Sequence, residues 1–398
     1  MGRKTEAGIR TVRLKKKEDR RVRRGHPWVF SNELESKLSG MEPGELVEVV
    51  DHSGRPVGMG YANPNSLIAV RMLTRGGGDV GPGLILERVA TAKALRERLY
   101  PGRETYRAVF SESDLLPGLV VDRYGSWLVL QVLTAGMERM MPWVLDALRE
   151  AYRPEGIVLR NDSSQRRLEG LTLEKRVLEG EYPGAVTVSL AGILFNVDML
   201  AGQKTGFFLD QVDNYRLLDR VVQGAEVLDL FCHTGAWGLY AAKAGADAVI
   251  GVDSSATALG SARENAALNN LTGGVSFIEE DAFDYLKRLT ASGKKHGVVV
   301  VDPPAFVKSR AKIAEGLKGY MDLNVRAMKA VAPGGFLISA SCSHHVGMEG
   351  FKEVLRAAAA GAGRAVRLIE MRSQSGDHPV LIVAPETEYL KCALMQVL

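Results

Sequence analysis

The pattern of apolar and polar positions divides the chain into regions of different type. Before residue 75 the apolar runs are short or alternating and are separated by glycine, proline and polar turns, as in 46–50, 56–62 and 67–73. This pattern favours a small β-barrel or sandwich. From residue 226 onward, continuous apolar runs alternate with stretches of helical spacing, which is typical of a parallel sheet covered by helices.

The region between them mixes the two patterns. A helical stretch at 85–100 is followed by strand-like runs and by a second helical stretch at 137–152, which predicts an α+β insert. We therefore expect an α/β protein with three domains, spanning residues 1–76, 77–184 and 185–398. Polar residues after one predicted strand either border a substrate groove or form a solvated loop: Asn161, Asp162, Arg166, Arg167 and Glu169.

Length and composition narrow the class of protein. The 398 residues include no apolar run near the ~20 residues of a membrane span, and the basic N-terminus leads into no apolar signal core. We expect a cytoplasmic protein with no membrane partner. Cys232, Cys342 and Cys392 lie far apart without a CxxC spacing, so we expect free thiols and no metal site.

Positive charge is concentrated at one end of the chain. Residues 1–24 contain eleven Lys and Arg against three acidic residues, a net +8, whereas the rest of the chain carries −4. Such a cluster attracts phosphate backbones through counterion release, and a solvated tail is the alternative. His26 and Trp28, which follow it, either stack on RNA bases or belong to the barrel core.

The last region places an aspartate at or after each of four successive predicted strands. These residues are Asp229, Asp253, Asp281 and Asp302. The carboxyl ends of parallel strands meet at one edge of the sheet, where open α/β sheets bind ligands. Acidic caps of the helices that follow are the alternative explanation for each residue taken alone.

The first turn lacks the glycine pattern of a dinucleotide site, which narrows the class of ligand. Residues 232–238 do not match G-x-G-x-x-G, so a pyrophosphate is not expected. Asp229 suits a cationic tail and Asp253 a ribose diol, while Asp281 suits an adenine edge; adenosine joined to a cationic amino-acid group is S-adenosylmethionine. The predicted donor site also includes residues that neighbour these aspartates or the first turn: Thr234, Gly235, Ser254 and Ala282.

Residues 203–211 add a second predicted wall to that site. A polar turn containing Gln203 and Thr205 is predicted to lead into a helix with Phe207, which covers the adenosine. A helix cap followed by core phenylalanines is the alternative.

Two features then suggest the chemistry. Asp302 is followed by Pro303 and Pro304, and a stiff Pro-Pro turn can present a side chain to a planar base. Cys342 follows the fifth strand at the same edge and is a candidate nucleophile, although many cysteines are simply small buried side chains. A thiolate that adds to cytosine C6 activates C5 for methylation, so we predict Cys342 and Asp302 as catalytic. His344 and His345 are either proton carriers or surface residues.

Taken together, these motifs resemble the ribosomal RNA large-subunit methyltransferase I family, which forms 5-methylcytidine in 23S rRNA. The resemblance implies an RNA-binding PUA domain, a central domain and a Rossmann-like class I methyltransferase domain, with dimers in at least some members. It also implies Cys342 as nucleophile and the four aspartates as donor-site residues. This chain departs from the family pattern at Cys232 and His233, and the base that removes the C5 proton is not identified.

Three functions remain open on the sequence. The first is methylation of RNA cytosine C5 through Cys342. The second is methylation of an exocyclic amine or another RNA position, with Cys342 structural. The third is a non-catalytic RNA-binding or assembly protein, which the set of donor-site aspartates disfavours.

Overall fold

The computed structural model describes residues 8–307 and 309–398. The chain forms two compact units. The first comprises the described residues up to Val186 together with Val197–Leu209 and Gly376–Thr387; the second comprises Thr187–Asn196, Asp210–Ser375 and Glu388–Leu398. No helix in the described ranges is long and apolar enough to cross a bilayer. The division into three domains stays a prediction.

The first unit begins with a five-stranded sheet in the order β1-β3-β4-β5-β2. β1 runs parallel to β3, and the other pairs are antiparallel. The elements are β1 (Arg10–Arg13), α1 (Asp19–Arg23), β2 (Trp28–Phe30), β3 (Glu45–Val50), β4 (Pro56–Ala62) and β5 (Ile68–Met72). The sheet matches the β-rich pattern that the sequence predicted before residue 75.

From Arg10 onward the basic N-terminal segment is part of this fold, so the alternative of a solvated tail does not hold for these residues. Val12, Leu14 and Val22 are at most 4% exposed and belong to the core of the sheet. β1 and α1 therefore hold the residues from Arg10 onward against the barrel. Residues 1–7, with Arg3 and Lys4, lie outside the described residues.

His26 and Trp28 are also structural. His26 is buried and meets the Trp28 ring edge-on, with ring centres 5.6 Å apart. Trp28 Nε1 donates to Glu112 Oε1 at 2.9 Å. These contacts support the core interpretation over stacking on bases.

A second five-stranded sheet, in the order β10-β9-β8-β7-β6, follows in the same unit. β8 and β9 are parallel and the other pairs antiparallel, as expected of an α+β insert. The elements are α2 (Pro82–Leu99), β6 (Thr105–Phe110), β7 (Leu119–Tyr124), β8 (Trp127–Val132), α3 (Ala135–Arg139), α4 (Met141–Tyr152), β9 (Gly156–Asn161), α5 (Gln165–Leu168) and β10 (Glu174–Glu179).

Three of the polar residues after β9 do not border a groove. Asn161 accepts a hydrogen bond from the Val132 N–H at 2.7 Å and is fully buried. The buried Arg166 pairs with Glu138 at 2.8 Å. Glu169, also buried, pairs with Arg71 at 2.8 Å. All three side chains are buried within the unit, which disfavours the groove interpretation for them.

The second unit is built on a seven-stranded sheet in the order β15-β14-β13-β16-β17-β19-β18. The first five of these strands are parallel, and β19 is antiparallel to both of its neighbours. The strands are β13 (Glu226–Leu230), β14 (Ala248–Asp253), β15 (Val275–Glu279), β16 (His296–Val301), β17 (Val331–Ser341), β18 (Val366–Arg372) and β19 (Lys391–Val397). The Rossmann-like arrangement is confirmed.

Helices connect these strands and cover the sheet. They are α6 (Ala236–Lys243), α7 (Ala256–Leu268), α8 (Ala282–Ser292), α9 (Ile313–Ala330) and α10 (Met348–Ala362). β16 shows why the central strands form: Val298, Val299, Val300 and Val301 are at most 1% exposed, because a strand covered on both faces is apolar along its whole length.

A hairpin precedes this sheet, with β11 (Val186–Leu190) and β12 (Ile193–Val197). The predicted helix after residue 203 is absent: the chain forms turns and a short 3₁₀ segment at Leu209–Gln211. Gly206 has φ +133°, outside the helical region, and the buried Thr205 donates its hydroxyl hydrogen to Asp122. These contacts hold the segment in a non-helical path.

Candidate active site

The five parallel strands bring the predicted residues of the second unit to one edge. Asp229 lies in β13, Asp253 ends β14, and Asp281, Asp302 and Cys342 follow β15, β16 and β17. Since all five strands run in the same direction, their carboxyl ends share that edge.

Asp229 is a buried carboxylate at this edge. It is 1% exposed, and its Oδ2 accepts the Gly238 N–H at 2.9 Å. Its Oδ1 is buried without a hydrogen-bond partner among the described residues. Burial raises the pKa of Asp229 well above its usual range, and the charges of Asp302 and Asp253 raise it further. The site therefore stabilises a cation placed against this carboxylate.

The first turn orients a second carboxylate. Phe231, His233 and Gly235 have positive φ values of 61°, 48° and 87°, so the chain bends sharply between β13 and α6. In this conformation the His233 N–H donates to Asp253 Oδ2 at 2.9 Å, and the Ser255 N–H donates to Oδ1 at the same distance. Each oxygen keeps a lone pair, so Asp253 can accept further hydrogen bonds from a diol.

Of the other predicted donor-site residues of this unit, Thr234 and Asp281 have clear local roles. The Thr234 carbonyl accepts a hydrogen bond from Asn265 Nδ2 at 3.1 Å, which ties the turn to α7. Asp281 caps α8 by accepting the Phe283 N–H at 2.8 Å. Ser254 is exposed and Ala282 is buried. For Asp281 the capping explanation is therefore correct, and a contact with adenine stays a prediction.

Asp302 is held by two donors that the sequence did not identify as its partners. Gln211 Nε2 lies 3.1 Å from both carboxylate oxygens, and Trp237 Nε1 lies 3.0 Å from Oδ2. Asn214 Nδ2 donates to Gln211 Oε1 at 2.7 Å, which orients the amide with its N–H toward Asp302. Because Gln211 and Trp237 are distant in sequence from Asp302, only the folded chain brings them together.

Cys342 lies beside the Pro-Pro turn. Its Sγ is 4.0 Å from the Pro303 carbonyl oxygen, and the side chain is half-buried. Cys232 and Cys392 are buried, and burial raises the thiol pKa of both. Of the three cysteines, Cys342 is thus the one best placed to react.

The sequence left His344 and His345, which follow Cys342, as either proton carriers or surface residues. The exposed His344 stacks on Tyr389 with ring centres 4.9 Å apart and an interplanar angle of 25°. His345 is exposed. These positions support the surface interpretation for both.

Gln203, Thr205 and Phe207 belong to the first compact unit. The Thr205 hydroxyl donates to Asp122, and the Phe207 N–H donates to the Tyr124 hydroxyl at 3.1 Å. Gln203 is exposed, and its carbonyl accepts the Gly206 N–H at 2.8 Å. A role for these three residues in donor binding stays a prediction.

Comparison with known proteins gives the family. A PUA-like domain model matches residues 12–75, and an S-adenosylmethionine-dependent methyltransferase model matches residues 160–380. A ribosomal RNA large subunit methyltransferase I from Shewanella frigidimarina is 39% identical over 386 residues, covering 96% of this chain and 97% of the relative. The chain belongs to the ribosomal RNA large subunit methyltransferase I family.

Another relative supports the family, and two solved structures support the fold. The relative of the same name from Shewanella amazonensis is 40% identical over 385 residues, covering 96% of this chain and 97% of the relative. A structure described as a SAM-dependent methyltransferase from Streptococcus mutans is 19% identical, with a TM-score of 0.83 over 97% of this chain and 100% of that one. A methyltransferase structure complexed with SAH is also 19% identical, with a TM-score of 0.85 and the same coverage of both chains. These structures confirm the fold.

The methyl donor of the family, S-adenosylmethionine, fits the residues present. The unpaired Oδ1 of Asp229 suits the donor's ammonium group, and the remaining lone pairs of Asp253 suit its ribose hydroxyls. When bound, the donor supplies a methyl group activated by its sulfonium.

Proposed function

We propose that this chain methylates C5 of a cytosine in 23S rRNA, with Cys342 as the nucleophile. The observation that carries the proposal is the half-buried Cys342 thiol, 4.0 Å from the carbonyl oxygen of Pro303, the residue after Asp302, at the edge where the parallel strands end. The names of the chain's relatives support a ribosomal RNA substrate.

The thiol is needed because cytosine C5 is too weak a nucleophile to take a methyl group unaided. The Cys342 thiol loses its proton to water, and the thiolate forms an S–C6 bond while the C5–C6 π electrons move toward C5. C5 then forms a bond to the methyl carbon, whose bond to sulfur breaks. Loss of the C5 proton to a base restores the double bond and expels the thiolate.

Asp302 would orient the base during this sequence. Its carboxylate accepts hydrogen bonds from Gln211 and Trp237, which fix its orientation. We infer that this carboxylate accepts a hydrogen bond from the N4–H group of cytosine. Asp302 directly precedes Pro303, whose carbonyl oxygen lies beside Cys342 Sγ.

RNA containing 5-fluorocytidine tests the proposal directly. Fluorine at C5 cannot leave as a proton does, so the S–C6 adduct should accumulate as a covalent complex that survives denaturing electrophoresis. Cys342→Ala should form no complex and lose methyl transfer, whereas Cys392→Ala, at another cysteine of the same sheet, should still form it. Full methyl transfer by Cys342→Ala without any trapping would contradict the mechanism and favour methylation of a nitrogen.

The first unit offers a surface for the RNA backbone. Arg10, Arg13, Arg21 and Arg23 pair with acidic side chains. Four other cationic side chains in the segment are exposed and have no ion-pair or hydrogen-bond partner among the described residues: those of Lys16, Lys17, Arg20 and Arg24, which we call the basic face. We infer that the basic face contacts phosphates. A homodimer and a cytoplasmic location stay predictions.

A further inference from the structure

Lys391 is a buried cation close to Cys342. It is the first residue of β19 and pairs in register with Ser341 of β17, one residue before Cys342. The side chain is 2% exposed, and Nζ donates to the carbonyl oxygens of Ser343 at 2.8 Å and of Tyr389 at 2.7 Å. A buried ammonium without an anionic partner is costly, and within the described ranges no carboxylate lies at ion-pair distance from Nζ.

We propose that Lys391 is a positioning residue for the reaction: it fixes the loop that carries Cys342, and its ammonium stabilises the negative charge on the Cys342 sulfur. The inference rests on the proposed function, in which Cys342 attacks as a thiolate.

The positioning part follows from the contacts of Ser343. Its hydroxyl accepts the Val307 N–H at 3.1 Å and shares a hydrogen bond with the Tyr320 hydroxyl at 2.9 Å. Its carbonyl accepts the Lys391 ammonium, so Ser343 is held from the turn after β16, from α9 and from β19 at once. Cys342 is the preceding residue, and its Sγ is thereby kept beside the Pro303 carbonyl.

The charge state of Lys391 supports the electrostatic part of the proposal. Burial lowers the pKa of Lys391 to about 8, while the nearby Cys342 and then Glu388 raise it. The ammonium is therefore present below about pH 8 and is lost above it. Two of its three N–H donors are used on carbonyls, which leaves one for an anion.

Several other elements also place titratable groups near Cys342. Asp302, in the turn after β16, is negative and opposes a thiolate. The further titratable groups are Tyr320 of α9, His344 of the same loop, and Glu388 and Tyr389 just before β19. Among these groups Lys391 contributes positive charge at Cys342.

Cysteine alkylation measures this effect in the full chain. Iodoacetamide reacts with thiolates, so the labelling rate of each cysteine, resolved by mass spectrometry from pH 5 to 10, reports ionisation. We expect half-maximal labelling of Cys342 in the unmodified protein at a pH below the ~8.5 of a free thiol. The buried Cys232 and Cys392 serve as internal controls and should label slowly. A midpoint for Cys342 at or above ~8.5 would overturn the inference without any variant.

Lys391→Gln separates charge from hydrogen bonding, because an amide still donates N–H groups but carries no charge. We expect the Cys342 midpoint to rise by about one pH unit, with labelling at pH 7 slower by about tenfold, and kcat for methyl transfer to fall while S-adenosylmethionine affinity is unchanged. Lys391→Arg, which keeps the charge, should restore a midpoint close to the original. A Lys391→Gln profile equal to the original would show that Lys391 only caps the two carbonyls.

Failure of this inference can be told apart from failure of the proposed function. Full methyl transfer by Cys342→Ala refutes the nucleophile itself. An inactive Cys342→Ala, combined with unchanged Cys342 labelling in Lys391→Gln, refutes only the role of Lys391.

Discussion

At the scale of single residues, Asp229 shows how the fold prepares a binding site at the expense of the ligand-free state. Its carboxylate is buried, receives one backbone N–H and has Asp253 and Asp302 as like-charged neighbours. A cationic ligand would relieve that repulsion and use the unpaired oxygen. Residues with strongly shifted pKa values often mark functional sites for this reason.

We predict that Asp229→Asn weakens S-adenosylmethionine binding and stabilises the ligand-free protein. The lost hydrogen bond to a charged group should weaken binding by about tenfold to a hundredfold, or about 1.5–3 kcal/mol. The thermal midpoint should rise because a buried carboxyl group that resists ionisation is replaced by a neutral amide, while the Gly238 N–H keeps its acceptor. Calorimetry and thermal unfolding measure both. Asp247→Asn, at an exposed aspartate just before β14, should change neither.

The difference in stability between Asp229→Asn and the original protein should depend on pH in a definite direction. The pKa of Asp229 is raised in the folded state, so its contribution to stability is fully present below the ordinary pKa of about 4 and is lost as pH rises through the raised value. The stability gap between the Asp229→Asn variant and the original protein should therefore narrow as pH falls toward 4. A gap that is constant with pH would show that Asp229 is ionised in the folded protein throughout.

The sequence predicted which acidic residues reach the sheet edge but not what surrounds them. Asp229, Asp253 and Asp302 could be placed because apolar runs fix the strand ends. Trp237 and Lys391 could not, since their contacts depend on the turn conformation and on the antiparallel pairing of β19 with β17. Neither the turn nor that pairing has a local sequence pattern.

At the scale of elements, the loops after β16 and β17 act as one assembly. Ser343 connects them through the Val307 N–H and the Tyr320 hydroxyl. The segment after residue 203 was predicted to be a helix from its local pattern. Its contacts with side chains of β7 hold it in a non-helical conformation instead. Spacing of apolar residues thus predicted the strands well and the irregular segments near them poorly.

We predict that Ser343→Ala loosens both loops. The buried Val307 N–H would lose its acceptor, at a cost of about 1–3 kcal/mol, so hydrogen exchange in peptides spanning Val307 should accelerate by about tenfold or more. Methyl transfer should fall while donor affinity is unchanged.

Ser339→Ala is the matched control for that variant. Ser339 lies in β17, the strand that leads to Ser343, and is equally buried, but its hydroxyl has no hydrogen-bond partner within the described part of the chain. Its removal should leave exchange at Val307 unchanged and be neutral or stabilising overall. Equal acceleration in both variants would mean that general loosening of β17, not the Ser343 contacts, is responsible.

At the scale of the whole molecule, the excess of positive charge in residues 1–24 suggested RNA binding. The fold determines which substitutions can test that suggestion. Deleting residues 1–24 would remove Val12, Leu14 and Val22 from the barrel core and confound binding with unfolding. The structure reduces the cluster to the basic face, whose side chains are exposed and not paired within the described residues. Substitution of these four side chains leaves the core intact.

We predict that replacing Lys16, Lys17, Arg20 and Arg24 with Gln weakens rRNA binding and flattens its dependence on salt. Each phosphate contact contributes about 0.7–0.9 to the slope of log K against log salt, so the slope should fall by up to about 3, with donor affinity unchanged. Filter binding between 50 and 300 mM salt measures it. A control variant removes the same charge from exposed positions of the second unit: Lys287, Lys318, Arg356 and Arg367. An equal loss of slope in the control would attribute the effect to net charge, and an unchanged slope in the first variant would place the RNA on another surface.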